Sequence, residues 1–293
     1  MKKSAFTMIE LVFVIVIMGI LSVFGVEIVR QIYNSYIGVK IYNDLEFKST
    51  TTIEQISNRL QNRIKDSTIV RDTTDSNHSG NFNSIQNSSG SENMIEWIGV
   101  DREGFNGTWN GSWNQPTWSA FIDVNDGNTT TLHSNGSDTT KIDSMIDSLS
   151  SGSTTISDSA IFFIGANSDI FSDYGYDGVA ITDQSRATHP IKAGSSLDLF
   201  EPDGGDFSGI DIYEFYQLAW SAYAIKHSDG NLTLYYNYQP WEGEKYSDGS
   251  SATLMENVDS FRVQAIGEMI KLQLCVQSDL ISTYSLCKEK AIF

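Results

Sequence analysis

Proline is scarce in this sequence. There are four in 293 residues, and the earliest is Pro116, so nothing before it carries the ring that removes a helical hydrogen bond and breaks a helix. Cysteine is scarcer. Cys275 and Cys287 are the whole supply, which excludes a disulfide-dense miniature domain. With no histidine near either in sequence, a zinc site lacks ligands. Cations are also few: 19 lysines and arginines stand against 37 aspartates and glutamates, a formal net charge of −18. Such a surface repels phosphate backbones, and no nucleic-acid partner is expected. H-E-x-x-H, G-x-x-x-x-G-K-[ST], G-x-S-x-G and C-x-x-C are all absent. The four histidines, His78, His133, His189 and His227, stand far apart in polar surroundings and read as solvated loop residues. The chain therefore offers no positive sign of an enzyme.

What is there is one long apolar run at the front. From Phe6 to Val26 the only charge is Glu10. A hydrocarbon core of roughly 30 Å needs about 20 helical residues, so this segment is long enough to cross a membrane. Lys2 and Lys3 precede it, and the positive-inside bias keeps that end in the cytoplasm and sends the rest of the chain outside. The run closes Val23, Phe24, Gly25, Val26, Glu27, without the small-x-small pair of a secretory signal peptide. Glu10 is the informative residue. A carboxylate inside the span costs on the order of 2.5 to 3.5 kcal/mol, so it calls for a partner in the membrane or in an assembly.

Ala5-Phe6-Thr7-Met8-Ile9-Glu10-Leu11, followed by the apolar run, resembles the class III leader and amino-terminal helix of type IV pilins and of the pseudopilins of type II secretion. The resemblance implies cleavage by prepilin peptidase between Ala5 and Phe6, N-methylation of Phe6, and pairing of Glu10 with the amino terminus of a neighbouring subunit. Two charges that are each costly in a low dielectric become tolerable together. The family usually has Gly where this chain has Ala5. Leu254 to Phe293 resembles the carboxyl-terminal part of J-type minor pseudopilins, and Glu10 argues against the longer K-type. The implied partners are other pilins or pseudopilins, the peptidase and an inner-membrane assembly platform. The implied location is the bacterial inner membrane, single-pass, with a periplasmic head or a surface filament.

The expected fold is α+β: a long N-terminal transmembrane and amphipathic helix packed on an antiparallel β-sheet head, as in pilins. The chain divides into a leader (1–5), a transmembrane helix (6–29), its amphipathic continuation (30–66), a loop-rich β region (67–209) and an antiparallel meander with a C-terminal disulfide (210–293). Ile32, Tyr36, Val39, Tyr42 and Leu45, then Ile53, Ile56, Leu60 and Ile64, keep helical spacing. Ser49 to Thr52 predict a bend. Strands are predicted at Met94–Val100, Thr117–Val124 and Ala160–Gly165, and a strand-like run at Phe215–Ile225. A hairpin turn at Ser228–Asn231 follows, then a short amphipathic turn from Leu254 to Phe261 and a strand whose Ile270, Leu272, Leu274 and Val276 share a face.

For a head outside the cytoplasm, Cys275 and Cys287 are expected to form a disulfide, reduced thiols being the rival reading. Trp109, Trp113 and Trp118 punctuate a polar loop. They either present aromatic faces to a glycan or protein partner, as an adhesin would, or fold back onto the sheet. No cofactor is called for by the residues; calcium is the one ion worth naming, because the resemblance to pseudopilins implies it, over Asp169, Asp173 and Asp177 or over Asp203 and Asp206. Neither cluster matches the EF-hand loop, and ordinary acidic turns are the other reading. Asp-x-Asn-x-Ser/Thr segments at 75–79, 126–130 and 229–233 fit an acidic glycosylation signal or simple turns.

Overall fold

The computed structural model describes residues 7–74, 81–281 and 283–293. One helix, α1 (Met8–Gln61), runs 54 residues and is about 80 Å long at about 1.5 Å per residue. It stops five residues short of the predicted limit. Arg63 already forms an antiparallel bridge with Gly99, and the Ile64 N–H donates to the Ile98 carbonyl at 2.9 Å, so sheet pairing has claimed the backbone. The predicted bend at Ser49–Thr52 is absent. Ser49, Thr52 and Ser57 instead lie buried on the same stripe as Ile41, Leu45, Ile53, Ile56 and Leu60. Weak helix formers are tolerated there because their small side chains sit against the sheets, and tertiary packing outweighs propensity.

After α1 come β1 (Ile69–Arg71), β2 (Asn83–Ser84), β3 (Met94–Gly99), α2 (Arg102–Asn106), β4 (Thr108–Trp109), β5 (Asn114–Gln115), β6 (Leu132–His133), α3 (Thr139–Ser150) and β7 (Ser159–Phe163). They are followed by β8 (His189–Ala193), β9 (Leu199–Pro202), β10 (Tyr216–Ala219), β11 (Ser221–Ser228), β12 (Asn231–Tyr236), β13 (Ser250–Met255), β14 (Val258–Ile266), β15 (Met269–Gln277) and β16 (Ser285–Ile292). All pairings are antiparallel among the described residues. The sheets run β13-β12-β11-β3-β1-β2, β10-β7-β8-β9-β6, β14-β15-β16 and the small hairpin β4-β5.

These elements stack as helix, sheet, sheet, helix. The distal half of α1 lies along the six-stranded and three-stranded sheets through one buried stripe: its Ile41, Leu45, Ile53, Ile56 and Leu60 share one core with Ile95, Trp97 and Ile225 of the first sheet and with Leu272 and Leu274 of the second. Each fully buried aliphatic side chain contributes about 1.5–3 kcal/mol. The opposite face of the six-stranded sheet, through Met94, Ile98 and Ala222, meets Ala160 and Phe162 of β7. One residue along, Ile161 and Phe163 point away to Ile142 and Ile146 of α3. β7 is thus buried on both faces, which is why it reads as a continuous apolar run.

Two strand expectations and one turn expectation are corrected. Thr117–Val124 forms no strand: only Phe121 makes a bridge, to Phe215, and Ala120 is held at φ 60°, which a strand residue does not adopt. Phe215–Ile225 is two strands in two sheets, interrupted at Trp220, whose carbonyl accepts from Gln239 Nε2 at 2.7 Å. Leu254–Phe261 is the end of β13 and the start of β14, joined through Asn257 at φ 58°. The six-stranded sheet also draws strands from both sides of residue 209. The Asp229-Gly230 turn is as expected, both residues lying at positive φ, 52° and 74°, as a two-residue hairpin requires.

Candidate functional site

The proximal half of α1 stands clear of everything else. Every large apolar residue from Met8 to Tyr36 is exposed, and burial begins with partly covered Ile37 and then Ile41. Among the described residues this is the one helix long and apolar enough to cross a membrane. Its polar boundary falls at Glu27 and Arg30, exposed and 3.9 Å apart. An apolar face all the way round a helix demands lipid or other helices.

Glu10 lies in the first turn. Its Oε2 accepts from the Thr7 backbone N–H at 3.0 Å and from the Thr7 hydroxyl at 2.8 Å. The carboxylate is thereby fixed at the helix start, a favourable position beside the free N–H groups there. Ala5 and Phe6, the residues of the expected cleavage and N-methylation, lie outside the described residues, as do His78 and the 75–79 segment.

At the far end of the chain, Cys275 and Cys287 face each other in the β15–β16 register and are joined by a disulfide. Lys288 and Lys290, on the same strand, reach Glu46 and Glu54 of α1. The C-terminal strand is therefore tied both to its neighbour and to the helix.

The tryptophan trio is divided. Trp109 and Trp113 are 67% and 64% exposed on the β4–β5 hairpin, whose tip is shaped by Asn110 Oδ1 accepting from the Ser112 and Trp113 N–H groups at 3.0 and 3.1 Å. Trp118 is not a surface residue. It is 2% exposed, its Nε1 donates to the Asp101 carbonyl and carboxylate at 3.2 and 3.1 Å, and Phe105 and Tyr216 pack on its ring. Asp101 also accepts from Gly104 N–H at the start of α2, and burial pushes its carboxyl above the usual range.

The expected calcium ligands are engaged as turn acceptors. Asp169 takes the Phe171 N–H, Asp173 the Asp169 N–H and Asp177 the Val179 N–H. Asp206 likewise accepts from Ser208 N–H. Among the described residues no three His, Cys, Asp or Glu side chains converge as metal ligands. Asn128 is also folded into a turn, accepting from Thr130 and Thr131.

Three histidines are not the solvated loop residues expected. His133 bridges Asp126 and Asp198 at 2.6 and 2.7 Å, and hydrogen bonds first to Asp198 and then to Asp126 raise its pKa. His189 is buried in β8, and desolvation lowers it to about 4. His227 bonds the Val258 carbonyl through Nε2.

Two buried arginines had no signal in the sequence. Arg71 pairs with Glu96 at 2.8 Å, nearly excluded from solvent, and Tyr238 donates to the same carboxylate at 3.0 Å. Arg63 lies at the end of α1 with no such partner among the described residues. No protein-family model, no curated protein and no solved structure matches this chain.

Proposed function

We propose that this chain is a minor pilin or pseudopilin: a membrane-inserted subunit trimmed after Ala5, N-methylated at Phe6 and incorporated into a type IV pilus or type II secretion filament. The observation that carries the reading is the division of α1. Its proximal half is exposed and apolar on all sides, while its distal half buries one stripe against two sheets. A rod of that kind suits a life first in lipid and then in a bundle of like helices. Glu10 is the subunit-docking residue, its charge neutralised by the amino terminus of a neighbour. The acidic, loop-rich head is bulky, which favours a place at or near the filament tip. The work is mechanical and recognitional, in protein secretion or pilus assembly, with the head in the periplasm or on the filament surface.

The test is intact-mass measurement and amino-terminal sequencing of the membrane-extracted protein, beside a Glu10→Ala variant assayed in the filament fraction. A chain beginning at N-methylated Phe6, whose Glu10→Ala form stays in the membrane and out of filaments, is the expected result. A chain beginning at Met1 would sink the reading and leave a tethered extracytoplasmic domain.

A second reading, an adhesin-like pilin, rests on the two exposed tryptophans of the β4–β5 hairpin. The Trp109→Ala/Trp113→Ala variant that still forms filaments but no longer adheres would favour it, and loss of filaments would speak for assembly.

A further inference from the structure

We propose that the cleft between the end of α1 and the β7–β10 side of the five-stranded sheet binds a carboxylate carried on a small apolar body. The cleft measures about 400 Å³, and its lining includes Arg63, Lys65, Asp66, Phe162, Tyr174 and Gln217. Arg63 decides its chemistry. The residue is 5% exposed, and a guanidinium offers five N–H donors. Nη1 donates to the Leu60 carbonyl at 2.6 Å, a contact that closes the end of α1. Nε is buried with no acceptor among the described residues. Burial lowers its pKa.

The other buried arginine shows how this fold treats a guanidinium whose role is structural. Arg71 has the Glu96 carboxylate at 2.8 Å, the Tyr176 carbonyl at 2.9 Å and the Phe82 ring beneath it. Among the described residues Arg63 has a single carbonyl. In a chain of net charge −18, a desolvated cation left without a counter-charge is costly, and an anion entering the cleft removes that cost.

Lining composition selects the anion. Lys65, exposed at the mouth, adds a second positive charge, Asp66 offsets one, and the cleft is left with about one net positive charge. Phe162 and Tyr174, whose rings stack, supply apolar wall, and the Tyr174 hydroxyl is already used on Ser168 Oγ at 2.9 Å. A monoanion matches this balance, and carboxylate matches the planar guanidinium fork. A phosphate dianion asks for more donors than the cleft presents. The carboxylate could be that of a free small acid or of a peptide terminus, and the two sources are separable.

The experiment is titration calorimetry on the full chain in detergent, with phenylacetate, phenylacetamide, acetyl-Gly-Gly-Phe as free acid and inorganic phosphate as probes. Expected is one-to-one binding of phenylacetate or the peptide acid, the tighter of the two naming the source. Phenylacetamide should bind at least about tenfold more weakly, and Arg63→Gln should raise Kd about tenfold or more. Because Arg63 also closes α1, Lys65→Gln is run in parallel. It is a surface change that leaves the fold intact and should raise Kd several-fold. No saturable heat from either acid up to about 10 mM, equal binding of phenylacetamide, tighter binding of phosphate, or a Kd unchanged in Lys65→Gln would each overturn the proposal.

Discussion

Lys290 Nζ stands 2.7 Å from Glu54 Oε1, and Lys288, two residues earlier on the same strand, reaches Glu46. The last strand is thus fastened to the helix at two points and to β15 by Cys275–Cys287. The fastenings differ in strength. Lys290 and Glu54 are over a third exposed, so their pair is screened by solvent and salt and contributes at most about 1 kcal/mol. The disulfide closes a loop of separation 12, for which the chain-entropy account gives roughly 3 kcal/mol. Denaturant unfolding should therefore show a small, salt-sensitive loss for Lys290→Met and a much larger one for Cys275→Ala/Cys287→Ala.

Glu96 offers a sharper stability test. It lies on β3 among apolar neighbours, 1% exposed, held by Arg71 and Tyr238. Glu96→Ala strands a buried guanidinium and should lower unfolding free energy by about 3–5 kcal/mol. Joint replacement, Arg71→Met with Glu96→Leu, removes both charges and should recover much of that loss in urea titrations. A double mutant as unstable as the single one would show that the pair is not the source of the effect.

The tryptophans separate by burial. Trp118→Ala empties a packed, hydrogen-bonded site and should cost about 3–5 kcal/mol. Trp109→Ala and Trp113→Ala, at exposed positions, should each stay within about 0.5 kcal/mol of the parent. Thermal melting of the three variants side by side checks the ranking.

His189 and His133 pull stability in opposite directions with pH. The folded pKa of His189 is about 4 against about 6.5 when unfolded. Between those values the unfolded chain binds more protons, so stability rises with pH there and falls on acidification, by up to about 3 kcal/mol. His189→Phe should flatten that acid limb of the melting curve. His133 has a raised folded pKa, so its contribution is complete below about 6.5 and is lost as pH rises through the folded value. His133→Ala should lower melting temperature more at pH about 5.5 than at pH about 8.5.

Much of this molecule is written in local sequence. The absence of proline before Pro116 and the run from Phe6 to Val26 point to the long apolar helix found at Met8–Gln61, because helix formation and membrane compatibility depend on neighbours three and four residues away. The Asp229-Gly230 turn and the alternation Ile270, Leu272, Leu274, Val276 likewise specify the last hairpins, since turn angles and strand faces are set within a few residues. Tertiary structure decided what depends on distant partners. It broke Phe215–Ile225 between two sheets, turned Trp118 inward onto Asp101, buried Ser49 and Thr52 instead of bending the helix at them, and drew His133 between Asp126 and Asp198. It also gave Arg71 a carboxylate 25 residues away and gave Arg63 none among the described residues. Periodicity reports which face of an element is apolar. Which other element covers that face, and whether a buried charge finds its counter-charge there, is fixed only when segments far apart in the chain are packed together.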